Sequence, residues 1–351
     1  MKEAPIQPLI TAVIPTYRRP KMLRRAIRSV LAQTYSHLQV CVYDDASGDE
    51  TGSIVAEIAK ADPRVRYFCH PKNIGWLKGF AYAIEHVDTP FFSLLGDDDL
   101  LLPRFFETAL VGFERHREAM FSATASIWMD DQGHVLGVPV LRWEPGFYLP
   151  PEGLRTMLKR GHAEWPGILF RREILDKVGS LDEQAGGPAD VDLLFRIAAR
   201  FPFVISTQPG AIFVAHSLSI TSGSRFDTAW PGWLKVIHNL AEDEHIPREV
   251  RTYAAQVLTE RIKTRLFMNI GFGSAVRRNW EDSLNAAEVL RKHYHLGGQA
   301  FLLRASVRVC QRLRAAHSLM CLLYDLRNLC RRLRNRQLQR EYGSYAQLLE
   351  C

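Results

Sequence analysis

Apolar and polar positions along this chain alternate between two patterns. Short, mainly apolar runs recur at Leu9–Pro15 (LITAVIP), Leu38–Tyr43, Val65–Cys69 and Phe91–Leu95. Runs of this length, bounded by turn residues, predict strands buried on both faces. Between them the spacing changes to three-to-four. Leu23, Ala26, Ile27, Val30 and Leu31 share one face of a helix over Lys21–Gln33. Ile54, Val55 and Ile58 mark a second helix, and Trp76–His86 a third. Strands alternating with helices in this way predict an α/β fold: a doubly wound, Rossmann-like, mostly parallel sheet flanked by helices.

The pattern continues less regularly. Phe105, Phe106, Ala109, Leu110 and Phe113 face inward on a further helix. Ser122–Met129 and His134–Val140 read as strands around a hairpin-type turn, Asp130–Gly133. A helix over Gly153–Arg160, a strand over Ile168–Arg172, a helix over Glu173–Val178 and a last strand over Ala211–Ala215 follow. From Pro231 the periodicity is helical throughout, a C-terminal helical extension. Phe301–Arg340, without glycine or proline, predicts one long helix. The expected division is a catalytic unit over 1–230, with halves of about 1–103 and 104–230, followed by a helical region over 231–351.

Composition narrows the class. The chain has 351 residues, 47% hydrophobic and 24% charged, ordinary for a globular protein with one large domain and an appendage. No apolar run reaches the ~18 residues of a membrane-spanning helix. The opening MKEAPIQP lacks the apolar centre of a signal peptide. Six cysteines without a CxxC pair read as reduced thiols. The expected location is cytoplasmic, with peripheral attachment to the inner face of the membrane as its accompaniment.

The net charge of +7 is unevenly placed: 231–351 carries 20 Lys and Arg against 11 Asp and Glu. Phe301–Arg340 alone holds ten arginines and one acid, Asp325, beside an apolar stripe that includes Leu302, Leu313, Leu323 and Leu333. Such a helix suits an anionic membrane surface, or packing on the catalytic unit or in a homodimer. Few aromatics interleave with the arginines, so nucleic acid is not an expected partner.

Candidate chemistry sits where the strands end. Phe91–Leu95 stops at Gly96, and Asp97, Asp98 and Asp99 follow without a break. The first strand ends in Thr16 and Tyr17, the second in Asp44 and Asp45. Ligands of open α/β sheets bind beyond the carboxyl ends of the strands. Adjacent carboxylates repel, and a hard divalent cation, Mg²⁺ or Mn²⁺, relieves that repulsion. Tyr17 and Asp45 could grip a base by stacking and hydrogen bonding. Neither GxGxxG nor GxxxxGK[ST] is present. A further acid, Asp190, shares a helical face with Leu193, Leu194 and Ile197. Apolar surroundings raise a carboxylate towards useful basicity; a helix N-cap is the alternative role. Trp165 reads either as a sugar platform or as core.

The motifs VIPTYRR, QTY, VYDDASGDET, NIG and LLGDDDLLLP, in that order, resemble those of the inverting family 2 glycosyltransferases with the GT-A fold, from about Ile10 to Ser222. The resemblance implies transfer from a UDP-, dTDP- or GDP-sugar to a glycan or lipid-linked acceptor in cell-surface polysaccharide or glycolipid synthesis. It places Pro15, Thr16, Tyr17 and Asp45 at the nucleotide and Asp97 at the ribose, with Asp98 beside it. Asp98, Asp99 and His216 fall at the cation, and Asp190 becomes the catalytic base. Two departures stand out: Gly96 replaces the first acid of the usual D-x-D-D, and Ala189 replaces the glutamate before the base. Two rivals remain open. A sugar nucleotidyltransferase would carry a glycine-rich loop after the first strand, where this chain has PTYRRP. A silent nucleotide-sugar-binding protein would lack the base or the metal acids.

Overall fold

A computed structural model describes residues 8–216 and 226–349. The first half follows the predicted alternation: β1 (Ile10–Thr16), α1 (Pro20–Leu31), β2 (Leu38–Asp44), α2 (Thr51–Ala61), β3 (Val65–Cys69), α3 (Trp76–Glu85) and β4 (Phe91–Leu94). A two-residue β5 (Leu100–Leu101) and α4 (Phe105–Arg115) lead into the second half. This comprises β6 (Phe121–Asp130), β7 (Val135–Gly137), β8 (Gly146–Tyr148), α5 (Glu152–Arg160), β9 (Ile168–Arg171), α6 (Ile174–Val178), α7 (Ala189–Arg200) and β10 (Phe203–Ala215).

The ten strands form one sheet, whose main path runs β3-β2-β1-β4-β9-β6-β10-β5. β3, β2, β1 and β4 are mutually parallel, as are β6 and β10. β9 runs antiparallel between β4 and β6. Every residue of β1, β2 and β4 is buried, which explains their mainly apolar character. Strand order reverses direction at β1, where β4 returns on the side opposite β2. The crevice for a ligand therefore opens beyond the carboxyl ends of β1 and β4.

Phe170 of β9 stacks against Phe92 of β4 with centroids 5.1 Å apart, locking the two halves together. Such ring pairs add ~0.5–1.5 kcal/mol beyond the area they bury. β10 begins eight residues earlier than its apolar pattern suggests. Register shifts between Ile205, Pro209 and Ala211 break the alternation there.

The helical extension is continuous with this core. Val236, Leu240, Val250, Ala254 and Leu258 join the same buried cluster as Leu193 and Ile197 of α7. A separate small core gathers Ile262, Leu266, Ala286, Leu290 and Leu303. The single helix expected over Phe301–Arg340 is instead three: Gly297–Arg312, Arg314–Arg327 and Leu329–Tyr342. Leu313 adopts an extended backbone (φ −121°, ψ 107°), and a second interruption follows at Asn328. The physical reason is tertiary. The last helix turns back onto the sheet, where Leu338 and Tyr342 are buried in the main core. Gln339 Oε1 accepts from the Val135 N–H at 2.5 Å, and Asn335 Nδ2 donates to the Leu136 carbonyl at 2.9 Å. Among the described residues no helix is long and apolar enough to cross a membrane.

Candidate active site

The acids lie where strand order reverses. Thr16 ends β1, and its Oγ1 donates to Asp97 Oδ2 at 2.8 Å. Arg19, at the mouth of α1, bridges Asp97 Oδ1 at 3.1 Å and Asp98 Oδ2 at 3.0 Å through one Nη1. His216, just past β10, brings Nε2 to 2.9 Å from Asp98 Oδ2. Asp99 Oδ1 accepts from the Val214 N–H at 2.8 Å, tying β10 to the acidic loop. Burial, then the neighbouring Asp98, pushes Asp97 up to about 6 against the opposing pull of Arg19 and Thr16. Burial drives Asp99 well above the carboxylate range, and Asp98 adds to it. Gly96 fits closely against this packing: a Cβ there would stand 2.7 Å from Asp98 Oδ1 and 2.9 Å from Asp99 Oδ2, so a larger residue would shift both carboxylates.

Asp44 and Asp45 divide their work. Asp44 accepts from the Ser47 N–H, the Ser47 hydroxyl and the Tyr67 hydroxyl, and so closes the turn after β2. Asp45 Oδ1 and Oδ2 accept from the backbone N–H groups of Ile74 (2.7 Å) and Gly75 (2.9 Å). Both of its oxygens thus hold the NIG loop, in which Gly75 takes the left-handed φ of 90° that favours glycine. Tyr17 is 40% exposed, with the Arg18 guanidinium 5.0 Å from its ring centroid. Pro15 is buried in β1, in register with Tyr43, and offers the crevice backbone alone.

A second polar group is linked to this rim electrostatically through Glu164. Asp190 occupies the first turn of α7, whose N-cap is Pro188. Asp190 Oδ1 accepts from the adjacent Val191 N–H at 2.7 Å, so its carboxylate also serves the helix N-terminus from within the first turn. Burial raises its pKa, with His162 pulling the other way. Glu164, 9% exposed, lies 3.9 Å from His162 Nδ1. Glu164 acts electrostatically on Asp99 and feels Asp190, so it links the acidic loop to the candidate base. Burial pushes Glu164 up to about 7. Burial lowers His162, but Glu164 and Asp190 outweigh it and leave the ring raised. Asp192, two residues on, is fully buried and committed to Arg196 and Asn239, a structural pair of contacts.

The donor set fits a divalent cation as a partial site. Asp98 and His216 present an oxygen and a nitrogen side by side. Mg²⁺ and Mn²⁺ complete such sites with waters and substrate phosphates rather than with a full protein cage. Among the described residues no three His, Cys, Asp or Glu come together as a cage. Of the three residues read as ligands, Asp98 and His216 meet directly, while Asp99 is joined through the Val214 backbone. The Ser217–Thr221 segment after His216 lies outside the described residues.

Trp165 resolves in favour of core: it is 8% exposed, and its ring sits 5.8 Å from that of Phe170. Three contributors escape sequence reasoning. Arg19 reads as part of a turn, although its place directly after Thr16 and Tyr17 is a usable signal. Glu164 and His162 precede a short helical turn, Trp165–Gly167, with no spacing that marks them.

Glu164 gives a test of this electrostatic arrangement. Its folded pKa is raised above the ordinary 4.5, so the fold binds this proton more tightly than the unfolded chain does. The stabilisation is therefore complete below about pH 4.5 and is lost as pH rises to about 7. Glu164→Gln should raise Tm at pH 8, by on the order of 2 kcal/mol of stability, and leave it nearly unchanged at pH 4.5. Calorimetric scans at the two pH values check this.

The comparisons agree with the geometry. Residues 11–179 match the model of "Glycosyl transferase family 2". An "Uncharacterized glycosyltransferase" of Rickettsia bellii is 35% identical over 254 residues, 70% of this chain and 36% of the relative. The "GalNAc(5)-diNAcBac-PP-undecaprenol beta-1,3-glucosyltransferase" of Campylobacter jejuni is 31% identical over 104 residues, 29% of this chain and 34% of the relative. The chain spans about two fifths of the length of the Rickettsia relatives it matches. Among solved structures, S. aureus TarS 1-349 in complex with UDP-GlcNAc superposes with a TM-score of 0.61 at 14% identity, covering 89% of each chain. That likeness extends over the GT-A sheet and into the helical region. Over residues 11–179, just under half of its length, the chain is similar to glycosyl transferase family 2.

Proposed function

We propose that the protein transfers a sugar from a nucleoside diphosphate sugar to an acceptor hydroxyl, with inversion at the anomeric carbon. The single observation that carries this reading is an electrostatic link between two sets of acids. A buried acidic rim sits at the strand-order reversal, and Glu164 acts on Asp99 of that rim and also feels Asp190, the acid on α7 raised by burial.

Asp190 accepts the proton of the acceptor hydroxyl. The freed oxygen forms a bond to C1 as the bond from C1 to the diphosphate oxygen breaks, and the electron pair leaves with the diphosphate. Glu164 and His162 set the charge around Asp190, because both are within its electrostatic reach. Tyr17 offers an exposed ring for the base. Asp97 takes the ribose hydroxyls, held in place by Thr16 and Arg19. Asp45 shapes the base site through the Ile74–Gly75 backbone that it fixes. Asp98 and His216 would hold a divalent cation, which when bound offsets charge on the leaving diphosphate. Arg19 already places a positive charge on Asp97 and Asp98.

The acceptor is read as a glycan or lipid-linked glycan of cell-surface synthesis. The name of the Campylobacter relative supports the lipid-linked class.

A donor screen tests the reading. The protein is melted with UDP-, dTDP- and GDP-sugars, with and without Mn²⁺. A ligand at one hundred times its Kd stabilises the fold by ~2.7 kcal/mol, a Tm rise of several degrees. One nucleotide class should give this rise, larger with Mn²⁺, and slow release of free nucleoside diphosphate should accompany it. Consumption of added pyrophosphate, with nucleoside triphosphate and sugar 1-phosphate formed from the donor, would instead identify a nucleotidyltransferase, and binding without any turnover a silent binder.

A further inference from the structure

The helix Arg314–Arg327 faces the wrong way for a helix held by its apolar side. Leu319, Leu322, Leu323 and Leu326 recur at i, i+3, i+4 and i+7, so they form one stripe. All four are exposed, at 56%, 55%, 58% and 56%. Ala316, His317, Met320 and Tyr324, on the other side of the helix, are half-buried against the protein. The stripe continues through Leu329 and Leu333 of the next helix, 46% and 53% exposed. Single exposed leucines need no explanation, but six in a continuous band do.

Charge says what covers the band. Arg312, Arg314, Arg334 and Arg336 flank it, all exposed and without an ion pair among the described residues. Asp325 is the single acid between Phe301 and Arg340. A second copy of this chain laid face to face would oppose arginine with arginine. An anionic lipid surface opposes arginine with phosphate and admits the leucines to the acyl boundary. We infer that the face formed by Arg314–Arg327 and Leu329–Tyr342 is a docking surface for an anionic phospholipid bilayer, lying in its interface rather than crossing it. This inference stands on the helical face alone and does not rest on the transfer reading.

Sedimentation of the full chain with vesicles tests it without any sugar present. Phosphatidylcholine vesicles containing phosphatidylglycerol should carry the protein down, and pure phosphatidylcholine vesicles should not. Raising salt to about 0.5 M should weaken the binding, because the arginines act through screened charge. Leu322→Glu with Leu326→Glu should weaken it about a hundredfold, since two leucines are withdrawn from the acyl boundary. Both positions are exposed, so the variant should keep the wild-type Tm. Arg334→Gln and Arg336→Gln should each cost about fivefold on anionic vesicles. Absence of binding to anionic vesicles overturns the inference. So does equal binding by the double leucine variant. A dimer in light scattering that the leucine variant dissociates assigns the face to a second copy instead.

Discussion

Asp190→Asn should lower the transfer rate by roughly 10²–10⁴-fold, the usual worth of a positioned general base, and leave donor binding nearly unchanged. The substitution keeps shape and can keep the Val191 N–H contact, which needs only an acceptor oxygen. What it removes is the capacity to take a proton at a site where burial has already raised the carboxylate. Donor affinity rests on the acidic rim, so the donor-induced Tm rise should survive. Single-turnover rates and thermal shifts, measured on one preparation, separate the two effects. A parallel loss of donor binding would move Asp190 out of the base role and into the donor site.

The second large effect is expected at Asp98. Its Oδ2 is shared by Arg19 and His216, so it is the point at which the partners on β1's exit and β10's exit converge. Asp98→Asn leaves the Arg19–Asp97 contact but replaces a charged acceptor with a neutral amide. Loss of a preorganised electrostatic contribution of this kind costs roughly 10²–10³-fold in rate. Mn²⁺ should also lose most of its effect on donor-induced stabilisation in this variant. An unchanged Mn²⁺ response would exclude Asp98 as a ligand.

Legibility of the chain followed the range of the forces involved. β1, β2 and β4 were readable because strands buried on both faces are mainly apolar, a signal carried within each segment; β3, an edge strand with only Val65 buried, was readable from its place in the alternation. The acidic loop was legible as a candidate because its three carboxylates follow the end of a predicted strand, where ligands of open α/β sheets bind. The partners of those acids were not. Arg19 meets Asp97 across 78 residues and His216 meets Asp98 across 118, contacts fixed by the sheet and not by spacing. Glu164 was invisible for the same reason. Its significance arises only when α7 brings Asp190 near it. The break at Leu313 lay beyond periodicity too, since the return of the last helix onto β7 is decided by Leu338 and Tyr342 finding the main core. The departure at Gly96 reads differently once the coordinates are known: the glycine makes space for Asp98 and Asp99.

One guanidinium joins regions that the order of the chain keeps far apart. Arg25 of α1 donates through Nη1 to the Leu349 carbonyl at 2.6 Å and through Nη2 to the Asp98 carbonyl at 3.5 Å. The closing turn of the helical extension is thus fastened next to the backbone of the acidic loop. Trimming residues 343–349, or attaching a bulky tag there, should be felt as a change in sugar-nucleotide affinity even though no trimmed side chain belongs to the crevice. Expression designs for this protein are accordingly better tagged at the other end.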